Sequence, residues 1–575
     1  MNDTVTVLGP SEIWALLLVM SAGSLINLYC LRIYRPATGR AIDKSTRWLE
    51  KFAFSPELLG GFSYWLLGLV SFLALFFELL MIRWISSEIG IFAYLKNFVL
   101  IACFLGFGLG CYLSRLRINL VATLMPLMAL TLICTLPWSG LRGLVDTLPN
   151  LLGPASRVDV WGLPSFPRSV AELFMLASAV LFIVPSFGLI ACSMIPLGQL
   201  VGWCLENAKN GISAYTVNII GSLAGIVLFT LLSFMFLPPA IWFLLAGASA
   251  AGMFWRLPSL RWTCVAVFLT CAGLASLGPG KGSKVFWSPY QKLTVTAFRQ
   301  NGEIVSYGIK SNTSWHQQIF NLSPDFVPRI LGSSRYFPQN TIPTIDDWPY
   351  LYQNEPGVPA SVIVISAALI ILCGFFLRET GTPLRTLRWH FFFLGAGFLI
   401  LEAQIISRMA LFFGTTWLVN SIVIAAILVM IVAANILVQW KPSISYMSAY
   451  CGIFASIMIS YLVPIESFFF SSAWVKGLTA AFMLCLPVFF AGIVFIRSFA
   501  CEGFRSEALG SNLFGALMGG MLESISMWTG MRSLLIFAGI LYFASLIAMK
   551  VHSRLIDAPK TAGSETKLMA AGSGR

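Results

Sequence analysis

The sequence predicts an all-α polytopic membrane protein of about fifteen transmembrane helices in two parallel six-helix repeats, with a small β-containing soluble insert. Three observations predict it. Hydrophobic residues make up 58% of the 575-residue chain and charged residues 11%, whereas soluble domains carry about 25% charged residues. Apolar runs of about 20 residues recur along the whole length, each long enough to cross a hydrocarbon core of roughly 30 Å as a helix. Two pairs of motifs recur at matched spacing. The alternating pattern of a membrane barrel is absent.

Helices are expected at about 12–31, 60–82, 97–113, 119–138, 171–197, 215–238, 239–255, 262–279, 358–377, 389–413, 416–438, 443–465, 472–496, 507–530 and 532–549. The first run has no basic region before it and no small-residue cleavage site, so it reads as a retained helix. Lys and Arg set the orientation. With the N-terminus outside, the cytoplasmic loops hold Arg32, Arg35, Arg40, Lys44, Arg47 and Lys51, then Arg115 and Arg117, Arg256 and Arg261, Arg378, Arg385 and Arg388, and Arg497 and Arg505. The C-terminal tail, with Lys550 and Arg554, is then cytoplasmic. This is the positive-inside pattern, and it accounts for most of the formal charge of +13. Charge scattered over many short loops does not suit nucleic acid. The expected partner is the lipid bilayer.

The 12 cysteines lie in or beside apolar runs and the 3 histidines are far apart. No CxxC spacing or His-built metal site is present, so neither metal nor cofactor is expected.

The two motif pairs define the repeat. Glu78 stands twelve residues before Gly90, and Glu402 twelve before Gly414; Arg83 and Arg408 fall between. "AYTVNIIGSLAG" carries Asn218, Gly221 and Gly225, and "ALGSNLFGALMG" carries Asn512, Gly515 and Gly519 at the same spacings. The offsets are 402 − 78 = 324 and 512 − 218 = 294. The difference matches an outer loop at about 139–171 that exceeds its counterpart at about 466–471. The chain then divides into an extra N-terminal helix with a basic loop (1–59), a first six-helix repeat (60–255), a linking helix (256–279), the insert (280–357), a second linking helix (358–388), a second repeat (389–550) and a disordered cytoplasmic tail (551–575). Parallel halves of six helices resemble the layout of the major facilitator superfamily. The superfamily's Gly-x-x-x-Asp loop signature is missing, since "GLGCYLSRLR" has no acid. The paired glycines are four apart on one helix face and suit close helix packing. Asn218 and Asn512 suit helix capping or a bond across the halves.

The insert, expected outside the cytoplasm, contains "KLTVTAFRQNGEIVSYGIK". Alternating residues around Asn301-Gly302 predict a β-hairpin. Trp287, Tyr290, Trp348, Tyr350 and Tyr352 bracket it, either as aromatic residues at a membrane boundary or as a docking surface for a protein partner.

"WSPYQKLTV" (Trp287 to Val295) and "IDDWPYLY" (Ile345 to Tyr352) resemble the two ends of the aminopropyltransferase region in bacterial membrane-bound spermidine synthase-like proteins. "FFELLMIR", "LGFGLG", "AYTVNIIGSLAG", "FFFLGAGFLILEAQIISR" and "TTWLVNSIVIAAIL" are similar to that family's membrane motifs. The resemblance covers most of the second to fifteenth expected helices and implies a multi-pass protein of a bacterial inner (cytoplasmic) membrane. In that family a Rossmann-like domain for decarboxylated S-adenosylmethionine lies between the two soluble motifs. Here about fifty residues separate them, too few for a glycine-rich nucleotide loop and its partner acid. The catalytic acids have no matching positions, so no enzyme activity is expected.

Glu78 and Glu402 carry the function question. A charge at mid-bilayer costs about 2.5–3.5 kcal/mol on insertion scales, so such residues face a protein interior or water. Glu78 and Arg83 lie about 140° apart around a helix, and Glu402 and Arg408 about 120°. Same-face ion pairs are therefore excluded. Each glutamate is expected either to pair with another helix, the arginine of the other half included, or to face its counterpart across a cavity that takes a cation or a proton. Glu523 is a third candidate. Two functions follow: binding or transport of a small, polyamine-like cationic solute between the halves, or a non-catalytic scaffold that docks a partner through the insert. Aminopropyl transfer is a distant third.

Overall fold

The computed structural model describes residues 8–34, 51–94, 97–152, 170–277, 283–288, 291–300, 303–312, 314–320, 357–381, 386–413, 417–463 and 473–557. Helices dominate: α1 (Pro10–Ile33), α2 (Tyr64–Glu88), α3 (Gly90–Tyr94), α4 (Phe98–Tyr112), α5 (Val121–Thr135), α6 (Ser139–Leu152), α7 (Val170–Asn207), α8 (Gly211–Phe234), α9 (Pro239–Met253) and α10 (Pro258–Ala275) precede the insert. After it come α11 (Ala360–Glu379), α12 (Trp389–Phe413), α13 (Trp417–Trp440), α14 (Tyr446–Leu462), α15 (Ala473–Cys501), α16 (Arg505–Leu522), α17 (Ser526–Thr529) and α18 (Ser533–Asp557).

Each of the fifteen expected segments contains a helix, and length and apolar composition mark most of them as spans. Among the described residues ten helices are long and apolar enough to cross a bilayer, or eleven if the bent pair α5 and α6 is one span. Helices α4, α9 and α14 are apolar but only 15, 15 and 17 residues long, about 23–26 Å at 1.5 Å per residue. Helix α16 stops at Leu522, where the chain tightens into a 3-10 turn, Glu523–Ile525. The stretch near 139–171, expected as loop, starts instead with α6. Its Leu141, Leu144, Val145, Leu148 and Leu151 are buried, a helical period of apolar residues laid against α1 and α7. Helix α7 runs 38 residues through Pro185 and Pro196, past its expected end near 197. Neighbouring helices can satisfy the backbone groups that a proline frees.

Local chemistry sets several helix starts. The Ser63 hydroxyl accepts from the Leu66 amide at 3.0 Å. Asn210 Oδ1 accepts from the Ile212 and Ser213 amides at 3.0 and 3.2 Å. Ser445 does the same for Ser448 at 3.0 Å.

Glycines govern the tightest packing. Helix α8 lies on α2 with Gly221 against the Gly68 carbonyl and Gly225 against that of Phe72. Helix α16 lies on α12 with Gly515 against the Phe392 carbonyl and Gly519 against that of Ala396. A Cβ at any of the four would meet backbone oxygen, so these faces require the small residue. Helix α4 packs on α7 and also on α16; helix α13 packs on α15 and also on α8.

Among its described residues the insert holds four antiparallel strands in sequence order, β3 (Ser283–Trp287), β4 (Lys292–Gln300), β5 (Glu303–Ser311) and β6 (Ser314–Phe320). A two-residue pair, β1 (Ala53–Phe54) with β2 (Ile118–Asn119), lies elsewhere. Strands β4 and β5 pair from Leu293↔Ser311 to Gln300↔Glu303. That is the hairpin the sequence predicts; Asn301 and Gly302 themselves lie outside the described residues. Strands β3 and β6 extend it into an open sheet. The sheet is tied to the helices: Lys292 Nζ lies 2.7 Å from a Glu88 carboxylate oxygen at the end of α2, and Lys310 Nζ lies 3.9 Å from Asp146 on α6.

Candidate functional site

The site grows from helix α2. Residues seven apart lie almost in line on a helix, so Ser71 and Glu78 share one face. Helix α8 supplies Asn218 and Ser222, one turn apart. The Ser71 hydroxyl donates to Asn218 Oδ1 at 2.8 Å, joining the two helices where Gly221 and Gly225 let them approach. Asn218 is therefore mid-helix and not a cap; the cap is Asn210. Its counterpart Asn512 donates through Nδ2 to the Phe391 carbonyl at 3.2 Å. Asn218 on α8 thus bonds to α2, and Asn512 on α16 to α12.

These residues edge a cavity of about 200 Å³. Its walls come from α2, α4 and α8 on one side and from α12, α13, α15 and α16 on the other. Ser71, Glu78, Asn218, Ser222 and Asn512 line it, together with aromatic and aliphatic side chains. Glu78 is the charged residue among them.

Glu78 and Glu402 keep 8% and 3% of their surface. Among the described residues neither carboxylate has a hydrogen bond or an ion pair. Glu78 lies within electrostatic reach of Glu402, and Glu402 within reach of Glu523. Glu523 accepts from Asn97 Nδ2, which joins the start of α4 to the end of α16. Of the three acids Glu78 lines the cavity, Glu402 is buried and Glu523 is half-buried at the end of α16.

Neither arginine meets these glutamates. Arg83 donates to the Ser233 hydroxyl on α8 and, at 2.7 Å, to the Ser288 carbonyl of the insert. Its guanidinium lies 4.6 Å from the Trp242 ring and 6.0 Å from that of Trp287. Arg408 donates to the Ser460 carbonyl at 3.3 Å. The cross-half arginine pairing considered from the sequence is not formed.

Trp287 packs edge-on against Trp242 at 5.3 Å, so it is used inside the chain. Tyr290, Trp348, Tyr350 and Tyr352 lie outside the described residues. Ser71, Ser222 and the cavity aromatics were not singled out from the sequence. Ser71 carried a usable signal, being two turns before Glu78; the aromatic residues carried none, since phenylalanine is common along every apolar run. Among the described residues no group of three or more His, Cys, Asp or Glu could hold a metal ion.

No family model and no curated protein matches the chain. Among solved structures, one titled as a bacterial homologue of the human drug peptide transporters PepT1 and PepT2 is 14% identical, covering 87% of this chain and 100% of that one, with a TM-score of 0.33. A second, titled for substrate recognition in proton dependent oligopeptide transporters, is 12% identical over 86% of this chain and 98% of that one, again with a TM-score of 0.33. Scores this low assign neither fold nor function here.

Proposed function

We propose that this chain is a transporter-like protein that binds a small cationic solute between two parallel six-helix halves, 60–255 and 389–550. The observation that carries the reading is Glu78. It is a carboxylate more than nine-tenths buried, without a partner among the described residues, on a cavity walled by both segments. An ionised carboxylate in a low-dielectric site calls for a cation or a proton.

The helix contacts support the two halves. The carbonyls that meet the paired glycines are offset by 392 − 68 = 324 and 396 − 72 = 324, the same as 402 − 78. The glycines are offset by 515 − 221 = 294 and 519 − 225 = 294. Exchange of the halves also turns the contact of α4 with α16 into that of α13 with α8. Two helices, α10 and α11, flank the insert between the halves, and an even number keeps the halves parallel. Polar bonds cross between them at Tyr112 with Ser511, 2.5 Å, and at Asn435 with Thr216, 3.3 Å.

The orientation proposed from the basic loops puts the insert outside the cytoplasm and the C-terminus inside, in a bacterial inner membrane. Kinship with membrane-bound spermidine synthase-like proteins rests on the quoted motifs alone. The scaffold reading needs insert aromatics open to a partner; Trp287 is packed on Trp242, while Phe286, Phe298 and Tyr307 are exposed.

The test is uptake by vesicles holding the purified chain, with spermidine, tetraethylammonium and phenethylamine each offered as the solute. The expected result is saturable uptake of at least one, lost in Glu78→Gln. Uptake of none above empty vesicles would overturn the reading, and so would unchanged uptake in the variant.

A further inference from the structure

We propose that the cavity selects an amphipathic monocation, a single amine on an aromatic or branched hydrocarbon body, over a polyamine. The inference rests on the cation-binding reading above and names its substrate class.

The cavity is divided by chemistry. Its polar groups gather on the wall made by α2 and α8, where Ser71, Glu78, Asn218 and Ser222 lie; Asn512 is the one amide on the facing wall. Apart from the Tyr215 hydroxyl, the rest is apolar. Phe104, Phe107, Tyr215, Phe398 and Phe495 supply five rings, and aliphatic residues of α12, α13 and α15 fill between them. One bound ammonium can take Glu78 as its charge partner and the hydroxyl and amide oxygens beside it as acceptors.

A polyamine carries a second ammonium several methylenes away. With its first amine on Glu78, the second would lie among phenylalanine and leucine side chains. A buried charge without a partner is strongly unfavourable. Glu402 does not line the cavity, although it lies near Glu78, so it offers no second seat within that space. An aromatic or branched body instead removes apolar surface from water on both sides, and the rings favour a cation above their faces. Pockets of this kind, mostly apolar with a few placed polar groups, bind drug-sized ligands in general.

The experiment measures direct binding to the full chain in lipid nanodiscs, by calorimetry, with three probes: phenethylamine, spermidine and 2-phenylethanol. The last keeps the ring and removes the charge. Phenethylamine is expected to bind at least tenfold tighter than either of the others, and Glu78→Gln to weaken it at least tenfold. If the variant fails to fold, the comparison with 2-phenylethanol on the unmodified chain reads the same charge requirement. Spermidine binding within tenfold of phenethylamine, or tighter, would overturn this inference and leave the cation reading standing. Binding of neither amine, or equal binding of 2-phenylethanol, would overturn both.

Discussion

The ammonium of Lys292 lies 2.7 Å from both carboxylate oxygens of Glu88, and both side chains are only 14% exposed. This contact joins strand β4 of the insert to the end of the helix that carries Glu78. Exposed ion pairs contribute little, but removing one partner of a well-buried pair leaves an uncompensated charge. For this partly buried pair, Glu88→Ala is expected to loosen the insert by about 1–3 kcal/mol. Limited proteolysis of the detergent-solubilised chain would then cut within 283–320 severalfold faster. The double exchange Glu88→Lys with Lys292→Glu should recover most of the protection.

Arg83 makes a second link between the helices and the insert. It binds Ser233, the Ser288 carbonyl and the face of Trp242. Loss of charge-assisted hydrogen bonds and a cation–π contact amounts to about 2–4 kcal/mol. Arg83→Ala should therefore speed hydrogen exchange across β3 and β4 while leaving cation binding at the cavity within threefold. A comparable loss of cation binding would place Arg83 in the site instead.

The glycine seams predict a sharp positional contrast. Gly515→Ala drives a methyl into the Phe392 carbonyl, and overpacking of this kind costs about 1–3 kcal/mol. Gly273 and Gly539 have no heavy atom within 4 Å of a built Cβ, so alanine there should be silent. Melting followed by size exclusion checks it: the Gly515 variant should aggregate several degrees earlier, the two controls at the parent temperature.

Topology can be read from two exposed cysteines. Cys501 ends α15 and Cys451 lies within α14; both are exposed, unlike the other ten. The proposed orientation puts Cys501 on the cytoplasmic side and leaves Cys451 facing lipid. A charged, membrane-impermeant maleimide should spare intact cells' copies of the chain and label Cys501 only after permeabilisation. Labelling in intact cells would invert the orientation.

Much of the architecture was readable because it depends on quantities that add along the chain. Run length and hydropathy locate apolar helices, and Asn-Gly between alternating runs locates the β4–β5 hairpin. The span count was less readable. Helices α4, α9 and α14 are shorter than a bilayer requires of an isolated helix, and only their neighbours bury them. Helix α6 was missed because its apolar period sits in a stretch too polar to register as a span. The candidate site was half readable: Glu78 stands out as a charge in hydrocarbon, but its environment does not.

By itself, the amino-acid sequence determined that this protein lives in a membrane and that Glu78 and Glu402 are acids carried within long apolar runs. These follow from transfer free energies and from spacing, which need no knowledge of neighbours. Only the tertiary structure decided what each charge meets. Arg83 and Arg408 were equally plausible partners for Glu78 and Glu402 by position, yet the fold commits Arg83 to Ser233, Ser288 and Trp242, and Arg408 to Ser460. The reason is geometric: a side chain's partner is set by how helices distant in sequence are rotated against one another, and that rotation is fixed by where glycines permit backbones to touch.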